Sequence, residues 1–458
     1  MKKRALTLSL LIFTLISSLL LTKQTTNLFS KAREKNANII VDPSINQGSL
    51  IPIWQALTQG GEEKYPFNNI LGEITVLRPK YIRIDHIYDF YNVVKKENNQ
   101  LKFNWEELDK IVNQILSTGA LPFFSLSYMP PAIAKNGEIT NPPENWQDWL
   151  QVVKETIQHY SGKDQKNLSN VIYEVWNEPD LFGNWKLEEE KDYRLLYKYA
   201  ALGANQAQNT NPFKIGGPAI TVPYKNWING FLDFITKNNL RIDFYSWHRY
   251  SLQPKKFLED INKVDAWLFK KGGFSLEKYL TEWGPSSEIS PINDSTFAAA
   301  HTVATIRQLI QRIDLAFIFE IKDGLPPEKE KYWGGWGIIT HEKVGSPEKK
   351  PRYYALELLN KVTGNKIKLE GENYWITGFA AKDENKIKII LVNLDQLNSH
   401  FEVVPLTVIN LENGNYHYQE SFLKGVKKIS KETITNNIIK KEIPLTPNNI
   451  VVIEIEKI

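Results

Sequence analysis

The sequence predicts an α/β protein, a (β/α)8 TIM barrel with a small C-terminal β-sandwich domain. Two observations lead there. Up to about Leu359, short apolar, β-prone stretches alternate with amphipathic helical patterns, and near-continuous apolar strands separated by helices imply a parallel sheet. Beyond that point the helical patterns stop, and β-prone runs follow one another between Asn, Asp and Gly turns. A third observation lowers the main competitor. No Gly-rich phosphate loop follows any strand, which disfavours a doubly wound open sheet.

Seven stretches read as buried strands: Tyr81–Asp85, Leu121–Ser127, Val171–Trp176, Phe213–Gly217, Asp243–His248, Lys278–Thr281 and Leu315–Ile321. Leu50–Trp54 is the expected eighth, opening the series. Helices are predicted over Trp105–Thr118, Trp146–Tyr160, Asp192–Gln208, Lys225–Asn238, Pro254–Lys270 and Asp294–Gln311. In the first of these, Leu108, Ile111, Val112 and Ile115 recur at helical spacing, and Gly119 is placed to end it. Eight such units over about 300 residues suit the barrel. Sandwich strands are expected over Ile367–Phe379, Lys386–Leu394, Val403–Ile409 and Ile450–Ile455, with Asn38–Val41 able to add one from the N-terminal side. The resulting plan is a leader over 1–22, a linker over 23–36, the barrel over 37–359 and the sandwich over 360–458. The charged Lys322–Lys331 segment is read as a long loop near the barrel mouth.

Net charge is +4, most of it carried by Lys2, Lys3 and Arg4, so the remainder gives no argument for nucleic acid. The chain has no cysteine, which excludes disulfides, thiolate catalysis, Cys-based metal sites and a lipid-modified Cys anchor. Three cations followed by an uncharged run from Ala5 to Leu21 form the layout of a secretory leader. The run is short for a membrane span, where about 20 residues are expected. Export to the periplasm, cell surface or medium is therefore expected, with membrane association only if the leader stays uncleaved.

In a (β/α)8 barrel the active site lies at the C-terminal ends of the strands. Collecting those ends gives Arg83, Asp85, Ser125–Tyr128, Asn177, Glu178, His248, Tyr250, Glu282 and either Glu320 or Asp323. Glu178 and Glu282 each close a β-prone run with a Trp nearby, and two carboxylates on separate strands are what glycosidic bond cleavage needs. There is no Gly-x-Ser-x-Gly elbow, and no acidic or histidine cluster has metal spacing; neither metal nor organic cofactor is expected. Glu174 is read as pointing into the barrel in a supporting role, and His301, within a helical pattern, as structural.

The motifs resemble those of the retaining (β/α)8 glycoside hydrolases, and within them glycoside hydrolase family 39, which holds β-xylosidases and α-L-iduronidase. The resemblance runs in order through Leu121–Ala134 (LPFFSLSYMPPAIA), Tyr173–Phe182 (YEVWNEPDLF), Ile215–Ala219 (IGGPA), Asp243–Tyr250 (DFYSWHRY), Tyr279–Ser287 (YLTEWGPSS) and the Pro351–Leu359 helix. It implies that Glu178 is the acid/base, Glu282 the nucleophile, and Asn177 the donor to the sugar 2-hydroxyl. It implies that His248 and Tyr250 line the −1 subsite, one of them donating to the nucleophile. Arg83 is expected to keep Glu282 ionised, and Glu178 to have a raised pKa beside a like charge. Tyr128, Trp283, Trp333 and Trp336 are candidate sugar platforms. One departure stands out. The relatives carry Arg-x-His after strand two, whereas this chain has Arg83-Ile84-Asp85 with His86 next, so neither xylose nor iduronate specificity carries over directly.

The expected partner is an oligosaccharide or polysaccharide, and the expected activity xylosidase-like. An endo-acting exopolysaccharide hydrolase of the same fold and a non-catalytic carbohydrate-binding barrel are the alternatives; the latter predicts loss of one carboxylate.

Overall fold

A computed structural model describes residues 35–458 other than 273, 328, 329, 424 and 426. The leader and nearly all of the linker lie outside the described residues. Eight parallel strands close into a barrel: β1 (Ala56–Gln59), β2 (Tyr81–Ile84), β3 (Leu121–Leu126), β4 (Val171–Val175), β5 (Phe213–Ile220), β6 (Phe244–Tyr250), β7 (Glu277–Gly284) and β8 (Leu315–Phe319). Each is followed by a helix: α1 (Leu71–Val76), α2 (Glu106–Ser117), α3 (Trp146–Ser161), α4 (Tyr193–Gln206), α5 (Lys225–Lys237), α6 (Pro254–Lys270), α7 (Thr296–Leu309) and α8 (Pro351–Leu359).

Local chemistry accounts for these elements. In α2 the buried stripe is Leu108, Ile111, Val112 and Ile115, three acidic residues occupy the first turn, and Gly119 follows with φ +85°. The side chain of Asn145 caps α3 by accepting from the Gln147 N–H. α7 is apolar nearly all round, because it packs against the barrel layer on one side and strands of the β-domain on the other.

Leu50–Trp54 is not a strand. Pro52 cannot donate a ladder hydrogen bond, and the segment turns, with Ile53 N–H donating to Ile51 and Gln55 N–H to Pro52. The first strand is instead Ala56–Gln59, and Trp54 packs on Phe379 of the β-domain with ring centroids 6.2 Å apart.

The β-domain is a sheet in the order Lys427–Ile434, Gly414–Phe422, Ile450–Lys457, Lys386–Asn393, Ile376–Asp383, Asn365–Glu370, Ile39–Ser49, Glu402–Val408, Ile439–Leu445. One apolar cluster joins Tyr416 and Tyr418 near one end to Ile439 and Ile443 at the other, so the sheet folds over itself as a sandwich. The N-terminal strand pairs antiparallel with Asn365–Glu370 and parallel with Glu402–Val408, which puts residues 39–49 in this domain rather than the barrel. The run read as Ile367–Phe379 is two strands, broken at Gly371, whose φ of +91° a side chain would oppose. Lys427–Ile434 escaped prediction because it is rich in Lys and Glu and only Ile434 is buried. The two domains share a core that includes Phe379, Ile390, Val392 and Val452.

Inside the barrel, side chains stack in layers. The lower layer is apolar, formed by Ala56, Phe123, Ile172, Phe244, Tyr279 and Phe317. Above it most barrel-facing strand positions turn polar, with Thr58, Arg83, Ser125, Glu174 and Ser246 all buried, while Phe319 of β8 stays apolar and lines the cavity. That change positions the site.

Candidate active site

Arg83 is the hub of the polar layer. It points up from β2, almost fully buried, and all three of its nitrogen groups are engaged: Nε donates to Glu174 at 2.8 Å, Nη1 to Glu282 at 2.9 Å and Nη2 to the Asn177 side-chain oxygen at 2.8 Å. Burial works against its charge, but Glu174, Glu282 and Asp85 together raise its pKa further still. The bond to Asn177 also fixes that amide's orientation. Its Nδ2 therefore points to the cavity, 3.2 Å from the Tyr128 hydroxyl and 3.5 Å from Asp85.

Glu282 lies within β7, opposite His248 on β6. The register slips by one residue between Leu280 and Glu282, a bulge of the kind that re-aims side chains next to active sites. Glu282 accepts from Arg83 on one oxygen and from Tyr250 Oη at 3.0 Å on the other. Glu178 follows the end of β4, where Trp176 and Glu178 itself hold positive φ of +76° and +42°. Such backbone persists where the surroundings impose it; here Glu178 N–H donates to Ala219 of β5 at 3.0 Å.

His248, fully buried, bridges the two glutamates. Its Nδ1 lies 2.8 Å from Glu178 Oε1 and 3.5 Å from Glu282 Oε2. Burial lowers its pKa, yet the facing carboxylates of Glu282 and Glu178 lift it above the ordinary value. One carboxylate oxygen of Glu178, one of Glu282 and a His248 ring nitrogen all fall within 4.8 Å of one another. The glutamates face each other across a cavity of about 680 Å³ at the C-terminal mouth of the barrel.

A model of the Glycosyl hydrolases family 39 matches residues 73–408. A β-xylosidase of Caldicellulosiruptor saccharolyticus is 31% identical over 349 residues, spanning 70% of this chain and 68% of the relative. The chain belongs to glycosyl hydrolase family 39. A β-xylosidase of Geobacillus stearothermophilus is 24% identical over 302 residues, 59% of this chain and 58% of the relative. The fold matches the crystal structure of the GH39 enzyme from Xanthomonas axonopodis pv. citri with a TM-score of 0.78 at 17% identity, covering 93% of this chain and 99% of that one. A monomeric β-xylosidase from Caulobacter crescentus gives 0.76 at 18% identity, with 92% and 100% covered.

For this family 39 enzyme the structure brings together Glu178, Glu282, Arg83, Asp85, Asn177, His248, Tyr250 and Tyr128. Glu174 is the buried partner of Arg83 inside the barrel. His301 is held by the Ser251 carbonyl at 2.7 Å and pushed down to about 3 by burial and Arg352, a neutral ring within the helical layer.

Two platform expectations fail. Trp283 is fully buried and faces away from the cavity, against Phe257, His301 and the Arg352 guanidinium, because it is the strand neighbour of inward-facing Glu282. Trp333 packs edge-on to Trp336 at 6.4 Å and does not line the cavity; Trp336 does. The expectation that Arg83 keeps Glu282 ionised also fails. Burial raises the Glu282 pKa to about 7, against the pull of His248 and Arg83 and with the help of Glu178.

Glu62, in the loop after β1, was missed. Misplacing the first strand hid it; the signal was Gly60-Gly61 directly after the short Ala56–Gln59 stretch, which is buried throughout. Glu320, at the end of β8, is fully buried, accepts from Gln59 at 2.9 Å, and is raised well above the carboxylate range by burial and Glu62. Asp323 belongs to a different contact, gripped by Lys350 at 3.0 Å.

Among the described residues two three-residue groups have ligand atoms close enough to hold an ion: Glu178, His248 and Glu282, and Glu63, His341 and Glu342. In the second, the Lys322 ammonium already bonds both glutamates, and His341 Nδ1 accepts from Lys343 N–H, leaving Nε2 as the N–H. In the first, Arg83 and Tyr250 already donate to Glu282.

Proposed function

We propose that the enzyme is a xylosidase-like glycoside hydrolase that retains anomeric configuration by double displacement. The observation that carries this reading is the approach of one oxygen of Glu178 to within 4.8 Å of one of Glu282. Retaining enzymes hold their carboxyls about 5–5.5 Å apart, whereas a water-activating inverting pair needs about 6.5–9.5 Å.

Glu282 attacks the anomeric carbon and forms an ester as the glycosidic C–O bond breaks. Glu178 gives its proton to the departing oxygen. It then takes one from the water that attacks the same carbon and frees Glu282. Asn177 Nδ2, aimed by Arg83, donates to the 2-hydroxyl oxygen, a bond that tightens as the ring approaches an oxocarbenium ion. Tyr250 and Arg83 hold Glu282 in line, and His248 holds Glu178. Raising the Glu282 pKa makes it a stronger nucleophile once ionised, and the developing positive charge beside it favours that ionised form.

The test is hydrolysis of an aryl glycoside panel with product stereochemistry followed by NMR. A first-formed anomer of the same configuration supports the reading; the opposite anomer overturns it. Both carboxylates are present, which counts against a non-catalytic barrel.

The sequence of the first 22 residues supports a further proposal, export with leader removal. Sequencing the N-terminus of protein recovered outside the cytoplasm tests it, and a chain retained inside with Met1 intact refutes it. The β-domain is proposed as structural support for the barrel. A deletion of residues 360–458 that stays soluble and fully active would contradict that.

A further inference from the structure

The cavity wall beyond Asn177 is built from carboxylates that the double displacement does not use. Asp85, at the end of β2, and Glu62, in the loop after β1, both line it. Asp85 Oδ2 has one long contact, 3.5 Å from Asn177 Nδ2, and Oδ1 is buried with no hydrogen-bond partner. Glu62 reaches this wall because two glycines precede it. A Cβ on Gly60 would lie 2.9 Å from both Glu62 carboxylate oxygens, and one on Gly61 would lie 2.0 Å from the His86 ring.

Burial raises the Asp85 carboxyl, against the pull of His86 in the same wall and of Arg83. Among the described residues no lysine or arginine lines the cavity, and His86 is ion-paired with Asp89 at 2.7 Å. Arg83 lies beneath, its three nitrogen groups spent on Glu174, Asn177 and Glu282. Burial, followed by mutual repulsion, raises the Glu62 carboxyl. A carboxylate accepts hydrogen bonds and donates none. An unpartnered buried acceptor costs free energy that a ligand donor removes. Ionised Asp85 offers this part of the wall only acceptors.

We infer that Asp85, with Glu62 beside it, determines specificity in the −1 subsite: it accepts from hydroxyl or ammonium groups of the sugar ring and repels a ring bearing a carboxylate. The inference rests on the glycosidase reading above. The wall thus selects in two ways, by attraction to donors and by like-charge repulsion of uronates.

The test uses the full chain with neutral 4-nitrophenyl glycosides, including the xyloside, and the glucuronide, which adds a carboxylate to the xylose framework. The wild type is expected to cleave a neutral glycoside and to neither cleave nor bind the glucuronide. Asp85→Asn keeps the shape and removes the charge. It should lower kcat/KM for the best neutral glycoside about 10- to 100-fold, mainly through KM, the range of one charge-assisted hydrogen bond. Its Tm should change little, because Oδ1 has no partner to lose, and relief of burial and of repulsion with Glu62 offsets the lost attraction to His86 and Arg83. A purely structural aspartate would instead lower Tm along with activity. Asp85→Asn combined with Glu62→Gln should let the glucuronide inhibit competitively. Unchanged kinetics in Asp85→Asn, a Tm falling with activity, or wild-type cleavage of the glucuronide at the xyloside rate would each overturn the inference while leaving the hydrolase reading intact. Failure of the wild type on every aryl glycoside would strike the hydrolase reading itself.

Discussion

The ends of β4 and β7 look alike in sequence and differ in structure. Each is an apolar run closed by a glutamate with a Trp beside it. Glu282 stays within its strand, paired across to β6, and takes hydrogen bonds on both oxygens from Arg83 and Tyr250. Glu178 lies beyond its strand in a left-handed conformation, and among the described residues its one close side-chain partner is His248. The Trp residues diverge too: Trp176 meets Tyr128 and Trp185 edge-on near the cavity, while Trp283 is buried in the helical layer. One carboxylate is clamped and the other is tethered at a single point. That difference suits a nucleophile that must stay in line and an acid/base that must shuttle a proton.

The largest effect expected from this asymmetry is at the clamped end. Glu282→Gln should cut turnover of an activated aryl glycoside by about 10⁴-fold or more, read by release of the phenol. Near-normal turnover would end the assignment. At the tethered end, Glu178→Ala should lose about 10²- to 10⁴-fold on substrates with poor leaving groups. It should lose far less in the first step on good ones, and azide should partly restore turnover as a glycosyl azide. If azide does nothing for any substrate, the acid/base role moves elsewhere.

A smaller effect is expected from Tyr250→Phe, which removes one donor from the clamp. It should lower kcat about tenfold. It should also move the acid limb of the pH profile upward from about 7, because the ionised form of Glu282 loses a hydrogen bond. A limb that stays put would show that the phenol does not tune the carboxylate. The smallest effect is on stability. Burial raises the folded-state pKa of Glu282 to about 7 from an ordinary 4.5, so its favourable contribution is present below the unfolded value and is lost as pH rises through 7. Glu282→Gln, which mimics the protonated form, should therefore raise Tm at pH 8 and leave it nearly unchanged near pH 4.5. The reverse pattern in thermal melts would mean that Arg83 wins over burial.

How much of this was legible in the chain depended on the kind of signal. Seven barrel strands were visible because their apolar residues run almost unbroken, as strands buried on both faces must. β1 was misplaced because its four residues are shorter than the apolar run before it, and that error hid Glu62. Strands such as Lys427–Ile434 carry too few apolar residues to announce themselves. Trp283 and Trp333 were misjudged because a residue's type does not say which face of a strand or which side of a loop it takes.

The sequence by itself determined the inventory: two glutamates at strand ends, an arginine, an amide, an imidazole and a phenol in barrel order, and a strand-to-helix rhythm that brings such ends to one rim. Hydrophobic periodicity is local, so it survives reading in one dimension. Tertiary structure decided the rest. It made Arg83 serve Glu174 as well as Glu282, set His248 between the glutamates, and left Asp85 facing the cavity with Oδ1 unpartnered. Those outcomes depend on distances between residues far apart in the chain, and burial and Coulomb interaction act through distance in space.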